Sequence, residues 1–337
     1  MQHVYTISDQ AVGLIGLGEV GHIHAEAIQK SQSSRLVAVA DANPSLLAPY
    51  AEAGIRCYND AADLINDPDI KTVSLCLPHH LHFSVAMSAI AAGKNLLVEK
   101  PLAITVAECE ELVAAARRAG VTLGVQHNQV FYSAHVEAKR MIEAGQIGRP
   151  VLLRLRLGMG PVFGGWRTSV ANSGGGLLFD AGVHRIYMTQ FLFGPVVSCH
   201  TILDAPREQG ETFAVIVLQF ASGARGIIEA NHHGPAGVFD DEIEIVGTDA
   251  VLRLPGLESE LSQRDSMTVF TDGAWKQVPI DDDNWETTVH KSVWAFLDAV
   301  AAGESAPVSG EDAVETMRLL HQIYDSAQVL DDHAGVR

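Results

Sequence analysis

Basic residues, paired cysteines and long apolar runs are all scarce in this sequence, and each shortage excludes a class of protein. The 337 residues include 23 Lys and Arg against 41 Asp and Glu, and a net charge of −18 would repel a phosphate backbone, which excludes a nucleic-acid groove. No apolar run reaches the roughly 18 residues of a membrane-spanning helix. The opening MQHVYTISDQ lacks the basic and apolar regions of a secretory leader. We therefore expect a cytoplasmic protein with neither nucleic acid nor membrane as a partner.

The cysteines lie far apart, and none belongs to a Cys-x-x-Cys pair. They are Cys57, Cys76, Cys109 and Cys199. Scattered cysteines in apolar runs usually act as small hydrophobic residues. The pattern fits a reducing compartment and does not fit a zinc site, so we predict no metal.

The length favours two domains, because a single hydrophobic core rarely grows to 337 residues. Strand and helix patterns alternate up to residue 127, which is typical of a doubly wound α/β sheet. From residue 196 to residue 279 the pattern is mostly short strands separated by turns, and helical patterns follow over residues 288–302 and 311–330. We predict a first domain of residues 1–127 and a second α+β domain of residues 128–337.

A glycine-rich segment follows the first apolar strand and leads directly into a helical pattern. Gly16 permits a tight turn, Gly18 lets a pyrophosphate approach the backbone, and Gly21 allows close packing of helix on strand. The helical pattern that follows runs through Ala25 and Ile28, and the free N–H groups at the start of this helix favour a phosphate. This context predicts a dinucleotide site.

The second strand ends at Asp41, about twenty positions after Gly21, which is the spacing of the acidic residue in dinucleotide-binding folds. Its carboxylate would accept hydrogen bonds from ribose hydroxyls and repel a 2′-phosphate, so NAD is favoured over NADP. The alternative is a solvated turn carboxylate ahead of Asn43 and Pro44.

Another buried-type strand, residues 95–98, ends in Glu99, Lys100 and Pro101. Ligands of open α/β sheets bind beyond the carboxyl ends of the strands, so Glu99 and Lys100 would stand at the mouth of a site. Pro101 stops the strand and restricts Lys100. An ordinary strand-end salt bridge is the alternative.

Three histidines follow the strand that ends at Leu77 and Pro78; they are His79, His80 and His82. A metal site is one interpretation, but no Cys, Asp or Glu stands beside them at ligand spacing. We predict that they line the crevice next to the nicotinamide. A helical pattern follows from Phe83 to Ala92, and for His82 a role at the start of this helix is the alternative.

A glycine-rich stretch in the second half carries Trp166 and Arg167 and is typical of a substrate-side loop. The helical pattern after it contains Asp180 and His184, which share a helix face at a spacing of four. A carboxylate beside an imidazole stabilises its charged form and can fix its tautomer. A surface Asp–His pair is the alternative.

The strands after residue 196 predict a large open sheet with an uncovered face. An uncovered face of this size needs a partner, so we predict a homodimer or homotetramer formed through it.

Several motifs fall in the order seen in one family. They are Gly16-x-Gly18-x-x-Gly21, His24, Pro78 with His82, Glu99-Lys100-Pro101, Trp166-Arg167 and Gly174-Gly175-Gly176-x-x-x-Asp180-x-Gly182-x-His184. From residue 11 to about residue 330 the chain resembles the glucose–fructose oxidoreductase/inositol dehydrogenase/MocA (Gfo/Idh/MocA) family. The resemblance implies an N-terminal Rossmann-type doubly wound parallel sheet and a C-terminal α+β domain with a large open, mostly antiparallel sheet. It also implies a nicotinamide-dependent oxidoreductase of sugars, cyclitols or their derivatives.

By this resemblance Lys100, Asp180 and His184 match the catalytic trio. His184 would exchange the hydroxyl proton, Asp180 would orient His184 or share its proton, and Lys100 would hold the substrate oxygen. The residues expected to bind the cofactor are Gly16, Gly18, Glu19, Val20, Gly21, Asp41, Leu77, Pro78, His82, Glu99, Lys100 and Gln126. The residues expected to bind the substrate are Lys100, Asn128, Trp166, Arg167, Asp180 and His184.

Two residues depart from the family pattern. His79 stands where the family often has Asn, and Gln129 stands where it often has Arg, so we expect an unusual or less anionic substrate. Two other activities fit the motifs: NAD-assisted cleavage of a glycoside, and cofactor sensing without turnover.

Overall fold

The computed structural model describes residues 10–160, 164–235, 237–257 and 266–330. Within these ranges the chain forms two compact units. The first contains the described residues up to Asn128 together with Val289–Val314, and the second contains Gln129–Thr288 and the described residues from Glu315 onward. The contacts therefore group residues 289–314 with the first unit. The division at residues 127 and 128 stays a prediction.

The first unit is a doubly wound sheet of six parallel strands. Its elements are β1 (Gln10–Ile15), α1 (Glu19–Lys30), β2 (Ser34–Ala40), α2 (Pro44–Glu52), β3 (Arg56–Tyr58), α3 (Ala61–Asn66), β4 (Thr72–Leu75), α4 (His79–Ala91), β5 (Asn95–Glu99), α5 (Val106–Ala119) and β6 (Leu123–Gln126). The strand order is β3-β2-β1-β4-β5-β6 and all pairs are parallel. The order reverses between β1 and β4, and such a switch point opens a ligand crevice at the carboxyl ends of the strands. The predicted Rossmann-type sheet is confirmed.

Burial explains why the sequence pattern predicts the central strands. β1, β4 and β5 are covered on both faces, and their middle residues are almost fully buried. Strands of this kind are near-continuous apolar runs. Local signals also bound α5, because Thr105 and Glu108 form a capping box at its start and Gly120 ends the helix with φ 68°.

The remaining elements run from residue 133 to residue 329. They are α6 (Ser133–Glu143), β7 (Pro150–Gly158), α7 (Val170–Ser173), a π turn (Leu178–Gly182), α8 (Val183–Phe193), β8 (Val196–Leu203), β9 (Phe213–Phe220), β10 (Arg225–Asn231), β11 (Ile243–Gly247), β12 (Val251–Leu254), β13 (Met267–Thr271), β14 (Ala274–Val278), α9 (Trp285–Ala302), α10 (Gly310–Asp325) and β15 (Ala327–Val329). Short 3₁₀ turns occur at Asn128–Phe131, Gly165–Thr168 and Arg207–Gln209.

The second unit is built on a nine-stranded sheet in the order β14-β13-β12-β11-β7-β10-β9-β8-β15. Most of its pairs are antiparallel, and β7 with β10 and β8 with β15 are the parallel ones. On one face α8 packs against β7 and α6 packs against β12. Alternate residues on the opposite face are exposed, including Ile202 and Val217. The predicted large, mostly antiparallel sheet is confirmed.

Two boundary predictions are wrong. The last helix was expected to reach Leu330, but α10 ends at Asp325 and the chain continues as β15, where Gln328 pairs with Ile202 of β8. A partner strand distant in sequence overrides the helical pattern there. The helix expected from Phe83 begins at His79, so the histidine group lies in the first turn of α4 instead of ahead of it.

Residues 289–314 complete the first unit. The indole of Trp294 donates to the carbonyl of Ala27 at 2.8 Å, and the backbone N–H of Val125 donates to the carbonyl of Val308 at 3.0 Å. A Cβ on Gly124 would lie 2.6 Å from the ring of Phe296, so this glycine allows α9 to approach β6 closely.

Across the described ranges, the helices are all too short or too polar to cross a membrane.

Candidate active site

The turn after β1 has the shape that a pyrophosphate needs. Gly16 has φ 89°, and a Cβ there would lie 2.1 Å from the carbonyl oxygen of Cys76. A Cβ on Gly21 would lie 2.1 Å from the carbonyl oxygen of Gly16. At Gly18 a Cβ would meet nothing in the described chain within 4 Å. Gly16 and Gly21 are therefore required by the fold, whereas Gly18 leaves space for a ligand to reach the backbone at the N-terminus of α1.

Asp41 lies at the end of β2, beside this turn. Its Oδ2 accepts a hydrogen bond from the backbone N–H of Leu17 at 2.7 Å, and its Oδ1 accepts one from the N–H of Asn43 at 2.8 Å. Each carboxylate oxygen has a second lone pair, so both can still accept from a ribose hydroxyl. The hydrogen bond from Asn43 is the turn interaction expected as the alternative for Asp41. The hydrogen bond from Leu17 also connects Asp41 to the glycine turn. These residues fit NAD.

His82 joins the ends of β4 and β5. It is fully buried, and its ring nitrogens lie 2.7 Å from the carbonyl oxygen of Leu77 and 2.8 Å from that of Pro101. Burial lowers the pKa of His82. His79 is buried and His80 is exposed, so the three rings do not share one environment. Among the residues that the structure describes, no group of three or more His, Cys, Asp or Glu could hold a metal ion.

The end of β5 is tied to α1. His24 is buried, and its Nδ1 lies 2.7 Å from the hydroxyl of Ser74 while its Nε2 lies 3.1 Å from Oε1 of Glu99. The other carboxylate oxygen of Glu99 accepts a hydrogen bond of 3.2 Å from the backbone N–H of Lys100. Glu99 thus belongs to a largely buried bridge that fixes the backbone at Lys100. The peptide bond between Lys100 and Pro101 is cis.

Gln126, His127 and Asn128, at the end of β6, are all buried. The amide oxygen of Gln126 accepts a hydrogen bond from the hydroxyl of Ser292 at 2.7 Å, so the side chain supports the packing of α9. Burial, together with the positive charge of Lys100, lowers the pKa of His127 to about 3. The first unit therefore gathers its predicted residues at the carboxyl edge of the parallel sheet.

In the second unit the structure brings Arg167 and Asp180 together. The guanidinium Nε lies 3.2 Å from Oδ2 of Asp180, and the guanidinium carbon lies 4.6 Å from the ring centre of Trp166. The Asp180 side chain is only 15% exposed. A nearby guanidinium favours the ionised carboxylate. The sequence predicted these residues as site residues without predicting this ion pair.

Asp180 and His184 lie on one continuous helical segment, but the turn that carries Asp180 is π, not α. The prediction of a single α-helix is wrong at this turn. The π turn lies at the start of this helical segment. There the N–H groups of Gly176 and Leu178 donate to the carboxylate of Glu211 and not to carbonyls one turn earlier. π turns inside α-helices are frequent at functional sites.

Glu211 is the residue that sequence reasoning missed. It is fully buried, and its carboxylate accepts hydrogen bonds from the N–H groups of Gly176 at 3.2 Å and Leu178 at 2.9 Å and from the hydroxyl of Tyr324 at 2.8 Å. Burial raises its pKa. In the sequence Gly210 and Glu211 read as a turn. A glutamate in a turn normally faces water, so no local pattern distinguishes this one.

A parallel sheet whose strand order reverses between β1 and β4, with a glycine turn after β1 and an acidic residue after β2, defines a dinucleotide-binding fold. Residues 11–127 match the family model described as "Oxidoreductase family, NAD-binding Rossmann fold", and residues 135–253 match the "GFO/IDH/MocA C-terminal domain". The chain belongs to the Gfo/Idh/MocA oxidoreductase family, and its cofactor is NAD.

Two curated relatives extend over most of the chain. The chain is 27% identical over 317 residues to the myo-inositol 2-dehydrogenase of Thermotoga maritima, covering 89% of this chain and 91% of the relative. It is 29% identical over 321 residues to the 1,5-anhydro-D-fructose reductase of Ensifer adhaerens, covering 90% and 91%. A solved structure of levoglucosan dehydrogenase in complex with NADH is similar with a TM-score of 0.84, at 26% identity, covering 95% of this chain and 97% of that one.

Proposed function

We propose that this NAD-dependent oxidoreductase transfers a hydride between the cofactor and a carbinol carbon of a sugar, cyclitol or sugar derivative. The observation that carries the proposal is the ion pair between Arg167 and Asp180. Asp180 lies on the same helical segment as His184. A partly buried carboxylate and an imidazole on one helical segment suit proton exchange with a hydroxyl group. The names of the relatives, which include a cyclitol dehydrogenase and a sugar reductase, support the substrate class.

NAD, when bound, accepts or supplies the hydride, and the glycine turn, Asp41, Leu77 and Pro78 are the residues proposed to hold it. His184 takes the proton of the substrate hydroxyl, for which an imidazole is suited near neutral pH. Asp180, which forms an ion pair with Arg167, orients His184 and stabilises its charged form. Lys100, whose backbone is fixed by Glu99, stabilises the negative charge that develops on the substrate oxygen.

Trp166, Arg167 and Asn128 complete the proposed substrate site. The Arg167 guanidinium lies over the ring of Trp166 and beside Asp180, and this arrangement holds both side chains of the loop. A sugar or cyclitol offers hydroxyl groups that such polar side chains bind.

We also propose a cytoplasmic homodimer or homotetramer formed through the open face of the mixed sheet. Ile202, Val217, Phe270 and Trp275 lie on this face and are each more than a third exposed. Exposed apolar residues interspersed with cross-strand ion pairs, such as Arg156 with Glu242, are typical of a surface that meets a copy of itself.

The four cysteines are free thiols, which supports the proposed location in a reducing compartment.

The test is NADH formation by the purified protein, followed by absorbance against a panel of sugars, cyclitols and sugar acids with NAD and with NADP. We expect turnover with one chemical class and a loss of about a hundredfold or more in kcat for Lys100→Ala and for His184→Ala. Lys71→Ala, at an exposed lysine directly before β4, is the matched control. Release of a glycone without NADH accumulation would show that the protein is a glycoside-cleaving enzyme and not a dehydrogenase. NAD binding without any turnover would show that it is a sensing protein.

A further inference from the structure

Glu211 is a fully buried carboxylate with several hydrogen-bond donors around it. A buried ionised group is costly unless it is hydrogen-bonded, so such a residue is retained where its interactions serve a purpose. Here the donors are the N–H groups of Gly176 and Leu178 and the hydroxyl of Tyr324. The backbone carbonyl of Glu211 also accepts from the N–H of Leu177 at 2.8 Å. One residue therefore binds three consecutive N–H groups.

These three N–H groups form the start of the helical segment that carries Asp180 and His184. The first N–H groups of a helix have no partner within the helix, and a negative charge beside them is favourable. The N–H of Asp180 in turn donates to the carbonyl of Gly176 at 3.2 Å. Asp180 is thus one hydrogen bond away from a residue that Glu211 holds.

The glycine motif before the segment has a physical reason in this interaction. A Cβ on Gly176 would lie 2.2 Å from the carbonyl oxygen of Glu211 and 2.4 Å from its backbone nitrogen. Any other residue would push the segment away from the Glu211 loop. Gly174 has φ 89°, in the left-handed region, and its carbonyl accepts a hydrogen bond of 2.6 Å from Nε of Arg207 in the same loop.

Aromatic packing supports the same attachment. The Arg207 guanidinium lies 4.9 Å from the ring centre of Phe179 and 5.6 Å from that of Tyr324. Phe179 directly precedes Asp180, so its position on Arg207 limits rotation of the segment.

We propose that Glu211 is a positioning residue for the catalytic pair: it holds the N–H groups of residues 176–178 and so fixes where Asp180 and His184 point. The inference rests on the proposed roles of Asp180 and His184. Glu211 does not exchange a proton with the substrate. It acts on the rate through the placement of the two side chains.

The test compares Glu211→Gln with Glu208→Gln, a matched change at an exposed position of the same loop. In Glu211→Gln one carboxylate oxygen becomes an NH₂ group, which cannot accept from a backbone N–H. We expect kcat to fall at least tenfold, KM for the substrate to change less than kcat, and the Kd for NAD to stay within twofold. Hydrogen exchange followed by mass spectrometry should show faster exchange in the peptide covering residues 174–184 and unchanged exchange in β1 and β5. Glu208→Gln should match the wild type in all of these.

Tyr324→Phe is the second variant, for the case in which Glu211→Gln does not fold. It removes one donor to the carboxylate, and we expect a fall of two- to fivefold in kcat with local faster exchange. A folded Glu211→Gln with wild-type kcat and wild-type exchange at residues 174–184 would overturn the inference, as would a loss of kcat that accompanies faster exchange throughout the second unit. If the wild type has no turnover, the proposed function fails, and the exchange data alone then decide whether Glu211 holds the segment.

Discussion

The carboxylate of Asp41 accepts a hydrogen bond of 2.7 Å from the backbone N–H of Leu17, inside the glycine turn. The side chain expected to bind the ribose therefore also holds the turn expected to bind the pyrophosphate. The two parts of the NAD site are linked through one carboxylate, so a change at Asp41 should affect both.

Asp41→Ala should raise the KM for NAD by about 10- to 100-fold, because hydrogen bonds to a charged group contribute about 1.5–3 kcal/mol. The preference for NAD over NADP should narrow, since the charge that repels a 2′-phosphate is gone. Steady-state kinetics with both cofactors measure this. Glu52→Ala, at an exposed position on α2, should change neither value. An unaltered cofactor ratio in Asp41→Ala would show that another residue sets the preference.

The stability of the fold should fall steeply below about pH 6.5, where unfolded histidines take up a proton. Burial lowers the pKa of both His127 and His135 to about 3, so the folded protein keeps these rings neutral across that window. The unfolded state then binds more protons than the folded state, and each ring removes up to about 1.4 kcal/mol of stability per pH unit. Above pH 6.5 both rings are neutral in the folded and in the unfolded state, so they cause no loss of stability there.

Urea unfolding at pH 7.5, 6 and 5 measures the effect. His135→Gln should reduce the loss between pH 6.5 and pH 5 by roughly 2 kcal/mol. His80→Gln, at an exposed position, should leave the pH profile as in the wild type. Parallel profiles for the wild type and His135→Gln would contradict the assignment of a neutral, buried ring.

Removing one partner of the buried Arg185–Asp241 pair should be strongly destabilising. Both side chains are at most 1% exposed, and an Arg185 nitrogen lies 3.1 Å from Oδ2 of Asp241. Arg185→Met should lower the free energy of unfolding by about 3–5 kcal/mol, because it leaves a buried carboxylate without its cation. Arg185→Met combined with Asp241→Leu should recover part of the loss. Arg154→Met, which removes an exposed ion pair with Glu244, should cost about 1 kcal/mol or less.

Val217→Asp should dissociate the proposed oligomer. Val217 is 44% exposed on the open face of the sheet, and a carboxylate there would be buried without a partner in an interface. Sedimentation equilibrium should show a dimer or tetramer for the wild type and a shift toward monomer for the variant. Val136→Asp, at a position on α6 that is 48% exposed, is the matched control and should leave the mass unchanged. A monomeric wild type would contradict this prediction.

The parts of the fold that sequence reasoning predicted are those whose pattern is local. β1, β4 and β5 are continuous apolar runs because both faces are buried, and turn residues separate the strands of the mixed sheet. β3 was not located, because its three residues, Arg56–Tyr58, are only partly buried and have no apolar pattern. β15 was taken as helix because only its pairing with β8 makes it a strand.

The candidate site was predictable to the same extent. Gly16, Gly21 and Asp41 follow from backbone and charge requirements that local sequence expresses. Glu211 does not, because its importance comes from N–H groups about 35 residues earlier in the chain, a spacing that no local rule covers. The π turn at Leu178–Gly182 begins where Glu211 accepts the N–H of Leu178, a contact that local sequence does not express either.

The return of residues 289–314 to the first unit has a consequence for biosynthesis. The N–H of Val125 in β6 donates to the carbonyl of Val308, and the amide oxygen of Gln126 accepts from the hydroxyl of Ser292, yet Val308 and Ser292 are translated after strands β7 to β14 of the mixed sheet. Domains generally fold as units as they leave the ribosome, starting from the N-terminus. Here the nascent nucleotide-binding unit must wait with an unfinished edge strand until nearly the entire chain has emerged. During that interval the edge of β6 can pair with strands of other chains.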